Sequence, residues 1–161
     1  MEIIKTTNEQ IEDLMNIRLE MLKEVNKLSD DYVYDKSFVD NCRNHFLNGN
    51  QTTVLVYDNS KPVACATLCY INVMPTFDHP TGNRAHLMNV YVNKNFRRKG
   101  LAKKMIDLLV DEAKEKGVTE ISLDATEAGK PLYSNCGFTF NNSAMVLECK
   151  KKVSQMGNME V

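Results

Sequence analysis

The sequence predicts a mixed α/β layer fold built on one core. Three observations carry this. The chain has 161 residues, which suits one domain and allows a substantial core. Apolar residues switch repeatedly between the period of a strand and that of a helix. Composition is ordinary, with 43% hydrophobic and 25% charged residues and no repeat, low-complexity tract or linker. The predicted order is a strand, two helices, three strands, a helix, a strand, a helix and two strands.

Glu2 to Thr6 reads as a first strand. Thr7-Asn8-Glu9-Gln10 follows as a capping box, a hydroxyl with an amide side chain three residues later. Ile11, Leu14, Met15, Met21, Leu22 and Val25 then recur at helical spacing. Asp35 to Leu47 reads as a second helix, closed by Asn48-Gly49-Asn50. Thr52 to Tyr57 and Val63 to Met74 form a hairpin around Asp58-Asn59-Ser60-Lys61. Pro75 to Asn83 is a loop, and Ala85 to Val92 a third long strand. Lys99 to Lys116 is a helix with Leu101, Met105, Leu108 and Leu109 on one side, followed by Gly117 as a cap. Ile121 to Ala125 is a strand and Lys130 to Cys136 a short helix. Phe138–Phe140 and Ala144–Cys149 are expected to close the fold as a hairpin. The domain is placed over 1–150, with a polar tail over 151–161.

Charge and cysteines narrow the function classes. Twenty basic residues against 21 acidic ones give a net charge of −1, which speaks against a dedicated nucleic-acid partner. No apolar run approaches the roughly 20 residues needed to span a bilayer. The start, Met1-Glu2-Ile3-Ile4-Lys5, has no signal-peptide core, so a cytoplasmic location and no membrane partner are expected. Cys42, Cys65, Cys69, Cys136 and Cys149 have no zinc-site spacing; free buried thiols and no metal are expected.

The most informative stretch is Leu87 to Ala102. A strand runs into a basic loop, Arg97-Arg98-Lys99-Gly100, which opens a strong helix. A helix N-terminus offers unpaired N–H groups and the positive end of the dipole, and a glycine lets a phosphate approach the backbone. The loop lacks the Gly-Lys-Ser/Thr ending of a Walker loop and the three glycines of a dinucleotide fingerprint. The residues alone leave two readings: a pyrophosphate site, or an exposed basic helix start.

Arg97-x-x-Gly100-x-Ala102 resembles the Gln/Arg-x-x-Gly-x-Gly/Ala signature of the GNAT acetyltransferases. Ile121-Ser122-Leu123-Asp124-Ala125-Thr126 resembles that family's fifth strand, and Pro131-Leu132-Tyr133 through Gly137-Phe138 its Leu-Tyr-x-x-x-Gly-Phe segment. The resemblance implies a single-domain GNAT fold: a mixed, mostly antiparallel sheet flanked by helices, with splayed central strands. It implies acetyl-CoA as cosubstrate, held by the backbone of Val90, Tyr91 and Val92 and by the loop of Arg97, Arg98, Lys99, Gly100, Leu101 and Ala102. It also implies a direct acetyl transfer with Tyr133 as general acid. From the residues alone, Tyr133 reads rather as a core tyrosine on an amphipathic helix. Where many members carry Asn-x-x-Ala ahead of that tyrosine, this chain has Thr126 and Gly129; the Thr126 hydroxyl then takes over the contact to the pantetheine.

The general base is less marked. His86, at the start of the third long strand, is one candidate. Glu20 lies on the first helix, where Arg18 and Glu20 interrupt an apolar stretch and point toward an acceptor cleft. That cleft is expected between the first two helices, the Pro75–Asn83 loop and the last hairpin. Its acidic residues (Glu20, Glu24, Asp30, Asp31, Asp35, Asp78) would favour a cationic amine such as a polyamine, an aminoglycoside or a lysine side chain. The partner is then a small-molecule or peptide amine, and a homodimer is compatible with the family. A CoA-binding sensor or interaction module without turnover is the alternative.

Overall fold

The computed structural model describes residues 1–149. The tail expected over 151–161 lies outside the described residues. Five strands form one sheet in sequence order: β1 (Glu2–Lys5), β2 (Gln51–Asp58), β3 (Lys61–Asn72), β4 (Asn83–Val92) and β5 (Glu120–Ser122). Every pairing is antiparallel except the parallel contact of β4 with β5. The helices are α1 (Ile11–Val25), α2 (Lys36–Asn48), α3 (Leu101–Glu115) and α4 (Lys130–Asn135).

The sheet separates two cores because alternate strand residues face opposite ways. On one side Val54, Val56, Ala64, Ala66 and Leu68 pack against Leu101, Met105, Ile106 and Leu109 of α3. On the other, Leu55, Cys65 and Tyr91 pack against Leu14, Ile17 and Met21 of α1. The β2 and β3 hydroxyls on this second side are buried but paired: Thr53 and Thr67 Oγ1 lie 2.7 Å apart.

α3 begins at Leu101, two residues later than the pattern predicts. Gly100 stands at its N-cap with φ +74, so the chain turns into the helix only after it. The predicted capping box at Thr7 is present, but opens a 3-10 turn over Asn8–Gln10 before α1 begins. Of the five free cysteines only Cys65 is buried, and Cys149 is exposed, which corrects the expectation of buried thiols throughout.

The expected final hairpin is absent: Phe138–Phe140 and Ala144–Cys149 form no strand. Met145, Val146 and Leu147 are almost fully exposed. A strand needs a partner edge and a period-2 pattern. This segment is apolar at consecutive positions, and the nearest edge, β5, is three residues long rather than the predicted five. No described helix is long and apolar enough to cross a membrane.

Candidate functional site

The site grows from a defect in β4. Cys65 of β3 pairs with Tyr91, and Thr67 pairs with Met88. One residue of β3, Ala66, therefore faces two of β4, Asn89 and Val90, which is a β-bulge. Asn89 takes the extra residue's strained backbone, with φ +57. Asparagine is among the few non-glycine residues that accept this region readily.

The bulge switches the faces of the strand. Before it, Ala85 and Leu87 belong to the α3 side; after it, Val90 and Val92 do. Met88 and Asn89 line the α1–α2 side, and Tyr91 packs in that core. Asn89 and Tyr91 are thus on the helix-α1 face.

β4 also parts from β5. Their pairing stops at His86 and Ser122, while β4 continues to Val92. The stretch Leu87–Val92 has no strand paired to it on the β5 side, which leaves room for a ligand running beside it. That edge leads directly into the basic loop. Asn93 caps a 3-10 turn over Lys94–Phe96, and the chain then curls through left-handed Arg98 and Gly100. Such curls gather successive N–H groups into an anion-binding hollow. The first amides of α3 point out of the same end without helical partners.

Gly100 is suited to this place twice over. Its φ disfavours side chains, and an added Cβ would meet nothing within 4 Å, so the space above it is open. Arg98 and Lys99 are exposed and make no ion pair among the described residues. Arg97 behaves differently: Nε donates to the Val92 carbonyl at 2.8 Å, and the guanidinium pairs with Glu24. Its side chain anchors the loop to α1, leaving its amide to the hollow. The residues present therefore fit a pyrophosphate with an arm laid along β4.

Tyr133 projects from α4 and packs against the α3-side core, its ring 6.0 Å from that of Phe138. Its hydroxyl has no hydrogen-bond partner among the described residues. Burial, and secondarily Cys136, raises its pKa above that of an ordinary phenol. Gly129 explains one departure from the family pattern. A Cβ there would lie 3.0 Å from the Tyr133 ring and 3.3 Å from Thr126 Oγ1, so glycine lets the ring lie across the start of α4. Thr126 Oγ1 accepts from the Gly129 amide at 3.2 Å and keeps its own proton for a further contact.

Opposite the split, a cavity of about 230 Å³ opens between α1, α2, β3 and β4. Arg18, Asn41, His45, Thr67, Met88 and Asn89 line it. Arg18 Nη1 donates to Asn89 Oδ1 at 3.1 Å, and Asn89 Nδ2 donates to Thr67 Oγ1 at 3.2 Å. The cavity thus touches the bulge itself. A larger hollow of about 280 Å³ sits at the other end of β3 and β4, beside Tyr70, Arg84 and Lys116. It lies five residues, roughly 16 Å, from the bulge along β4, and its cations are already paired with Glu112 and Glu120.

Arg18 lines the cavity as the sequence suggests, but Glu20 does not. Glu20 Oε1 accepts from the Tyr91 hydroxyl at 2.9 Å and from Asn93 Nδ2 at 2.8 Å. Glu24 accepts from Tyr91 at 3.0 Å and pairs with Arg97. Asp35 caps α2 through the Ser37 and Phe38 amides. None of the six acidic residues expected in the cleft lines this cavity. His86 stands where β4 and β5 separate. Ser122 Oγ donates to the Ala85 carbonyl at 3.4 Å and meets His86 Nδ1 at 2.9 Å. The Ser122 contact occupies Nδ1 and leaves Nε2 open. Nε2 faces Asp124 at 3.7 Å, beyond direct hydrogen-bond reach.

Sequence reasoning missed Asn41 and His45. Their spacing of four along a predicted helix places them on one face, and that was the available signal. The bulge had only a faint one, an asparagine inside a strand.

The model of the acetyltransferase (GNAT) family matches residues 11–138. A predicted acetyltransferase from Clostridium acetobutylicum, solved with acetyl-CoA, is 27% identical, with a TM-score of 0.79 over 91% of this chain and 95% of that one. The glucosamine-6-phosphate N-acetyltransferase structure from Arabidopsis thaliana superposes with a TM-score of 0.65 at 19% identity, over 92% of this chain and 98% of that one. By sequence, a glucosamine 6-phosphate N-acetyltransferase of Arabidopsis thaliana is 26% identical over 91 residues. That match takes in 56% of this chain and spans 61% of the relative's length.

Proposed function

We propose that this chain, which belongs to the acetyltransferase (GNAT) family, moves an acetyl group from acetyl-CoA to a primary amine of a small molecule or peptide. The observation that carries this reading is the parting of β4 from β5 at His86, directly upstream of the loop curled at Arg98 and Gly100. When bound, acetyl-CoA supplies an activated thioester carbonyl and a thiolate leaving group.

The chain's residues divide the work. The amides from Arg98 to Ala102 hold the pyrophosphate, with Gly100 giving access and the side chains of Arg98 and Lys99 adding charge. The backbone of Val90, Tyr91 and Val92 holds the pantetheine along the open edge, and the Thr126 hydroxyl adds a contact. A strand N–H at the bulge faces the thioester oxygen and stabilises the charge that develops there. Arg97 acts through position, fixing the loop to α1.

Direct attack places a neutral amine nitrogen on the carbonyl carbon and breaks the carbon–sulfur bond. The Tyr133 hydroxyl gives its proton to the departing sulfur. The Tyr133 phenol, raised by burial, is a weaker acid than a thiol near about 8.5, so transfer is concerted with bond breaking. The amine's proton goes to His86 Nε2, with Asp124 nearby to steady the imidazolium. Glu20 is the lesser candidate, because its Oε1 already accepts from Tyr91 and Asn93. The relative from Arabidopsis thaliana is named for a small amino-sugar acceptor, and a cavity of about 230 Å³ suits an acceptor of that size.

The test is release of free thiol from acetyl-CoA across a panel of primary amines. Amine-dependent release is expected, falling about 100-fold or more in Tyr133→Phe. Acetyl-CoA binding with no amine-dependent release from any acceptor would contradict catalysis and favour the sensor alternative.

A further inference from the structure

We propose that the acceptor carries an anionic group, a phosphate or a carboxylate, that Arg18 binds inside the α1–α2 cavity; this rests on the acetyltransferase reading above. The first observation is an unbalanced charge. Arg18 is partly buried, lines the cavity, and makes no ion pair among the described residues. Its one hydrogen bond goes to a neutral amide, Asn89 Oδ1, through Nη1. Among the described residues the remaining guanidinium donors have no acceptor of opposite charge.

The second observation is the cavity's lining. It contains no aspartate or glutamate, and its other polar groups are neutral or, in His45, able to become cationic. The nearby acids are engaged elsewhere, Glu20 and Glu24 with Tyr91, Asn93 and Arg97. Arg18's field reaches the neighbouring groups. Burial pushes the Cys65 and Cys69 thiols and the Tyr34 phenol upward, and Arg18 pulls all three back down.

A partly desolvated guanidinium is stabilised by a planar or tetrahedral oxyanion, which accepts two of its N–H bonds at once. Asn41 and His45, one turn apart on α2, stand across the cavity as further donors. Asn89 joins Arg18 to the bulge, so an anion on Arg18 sets the distance between the acceptor's charged end and the amine at the bulge. The cavity thereby selects an amine whose charge lies a fixed reach from its nitrogen. A charge-assisted hydrogen bond corresponds to roughly tenfold to hundredfold in affinity.

The experiment compares matched acceptors. Glucosamine 6-phosphate against glucosamine tests the phosphate source. L-Methionine against its amide tests the carboxylate source. In wild-type protein the charged member of one pair should have the higher kcat/KM by at least about tenfold. Arg18→Gln should collapse that ratio, mainly through KM, and Arg18→Lys should restore part of it. Equal rates within both pairs would overturn the proposal. So would an Arg18→Gln variant that slows charged and neutral acceptors alike, because Arg18 would then only prop Asn89.

Direct calorimetric titration of the same four compounds, with and without CoA, separates this proposal from the reading beneath it. Binding of a charged member that Arg18→Gln abolishes upholds the anion site even if acetyl-CoA fails to bind. Acetyl-CoA binding with no charge preference in any titration refutes the anion site alone.

Discussion

β4 has two flanks, and they are built from different materials. On the β5 side the site is backbone: an open strand edge, a curled loop and the free end of α3. On the α1 side it is side chains: Arg18, Asn41, His45, Thr67 and Asn89 drawn from four elements. In the function proposed above, the first flank answers to a ligand part common to many reactions, the second to one acceptor. Backbone sites depend on where a glycine and a helix start fall in the chain. Side-chain sites depend on how distant segments meet.

This difference can be broken by mutation. The largest effect is expected at the chemistry between the flanks. Tyr133→Phe should cut turnover about 100-fold or more, with acetyl-CoA affinity within about twofold of wild type by calorimetry. A parallel loss of affinity would place Tyr133 on the cofactor flank instead.

Next comes a change that should touch neither flank. Glu112 on α3 is nearly buried and pairs with Lys5 at 2.6 Å and Lys116 at 2.8 Å, while Thr52 and Tyr70 donate to it. Burial alone would raise its pKa; the bonds from Lys116, Lys5, Thr52 and Tyr70 outweigh burial and hold it well below the usual carboxylate range. Glu112→Gln should lose about 2 kcal/mol, read as a Tm about 4–8 °C lower at pH 7. A depressed carboxylate stabilises the fold above its unfolded pKa of about 4.3, and that stability is lost as pH falls toward the folded pKa. The Tm gap between wild type and variant should therefore narrow steadily below about pH 4.5. A gap independent of pH would show that Glu112 acts by packing alone.

Gly100→Val tests the backbone flank by itself. A β-branched residue at φ +74 costs about 1–2 kcal/mol and crowds the open space above the loop. Acetyl-CoA affinity should fall about tenfold or more; unchanged affinity would show that the loop does not hold the cosubstrate. The smallest effect is expected at His86. His86→Asn should lower kcat/KM by about tenfold. An unchanged kcat/KM would move the proton to Glu20, His45 or water.

The same division explains what the sequence made legible. Arg97-x-x-Gly100-x-Ala102 is local, so the loop, the helix behind it and the strand before it were all readable. Tyr133 stands out in the sequence because a short motif surrounds it. The bulge at Asn89 was not readable, since register depends on Ala66 of a neighbouring strand. Nor was the cavity's positive character. Glu20 and Arg18 are two residues apart on α1, about 200° around the helix, and only the packing against β4 sends one to Tyr91 and the other to the cavity. The closing hairpin was over-read because apolar residues at 144–149 were given a partner that β5, at three residues, does not offer.

The central claim is that the edge of β4 and the loop at Arg98–Ala102 hold acetyl-CoA. Calorimetric titration of acetyl-CoA into the purified protein, with CoA and ATP as comparators, tests it most directly. Acetyl-CoA and CoA should bind in the micromolar range and ATP far more weakly, because ATP lacks the arm that lies along β4. No binding, or binding of ATP as tight as that of acetyl-CoA, would contradict the account.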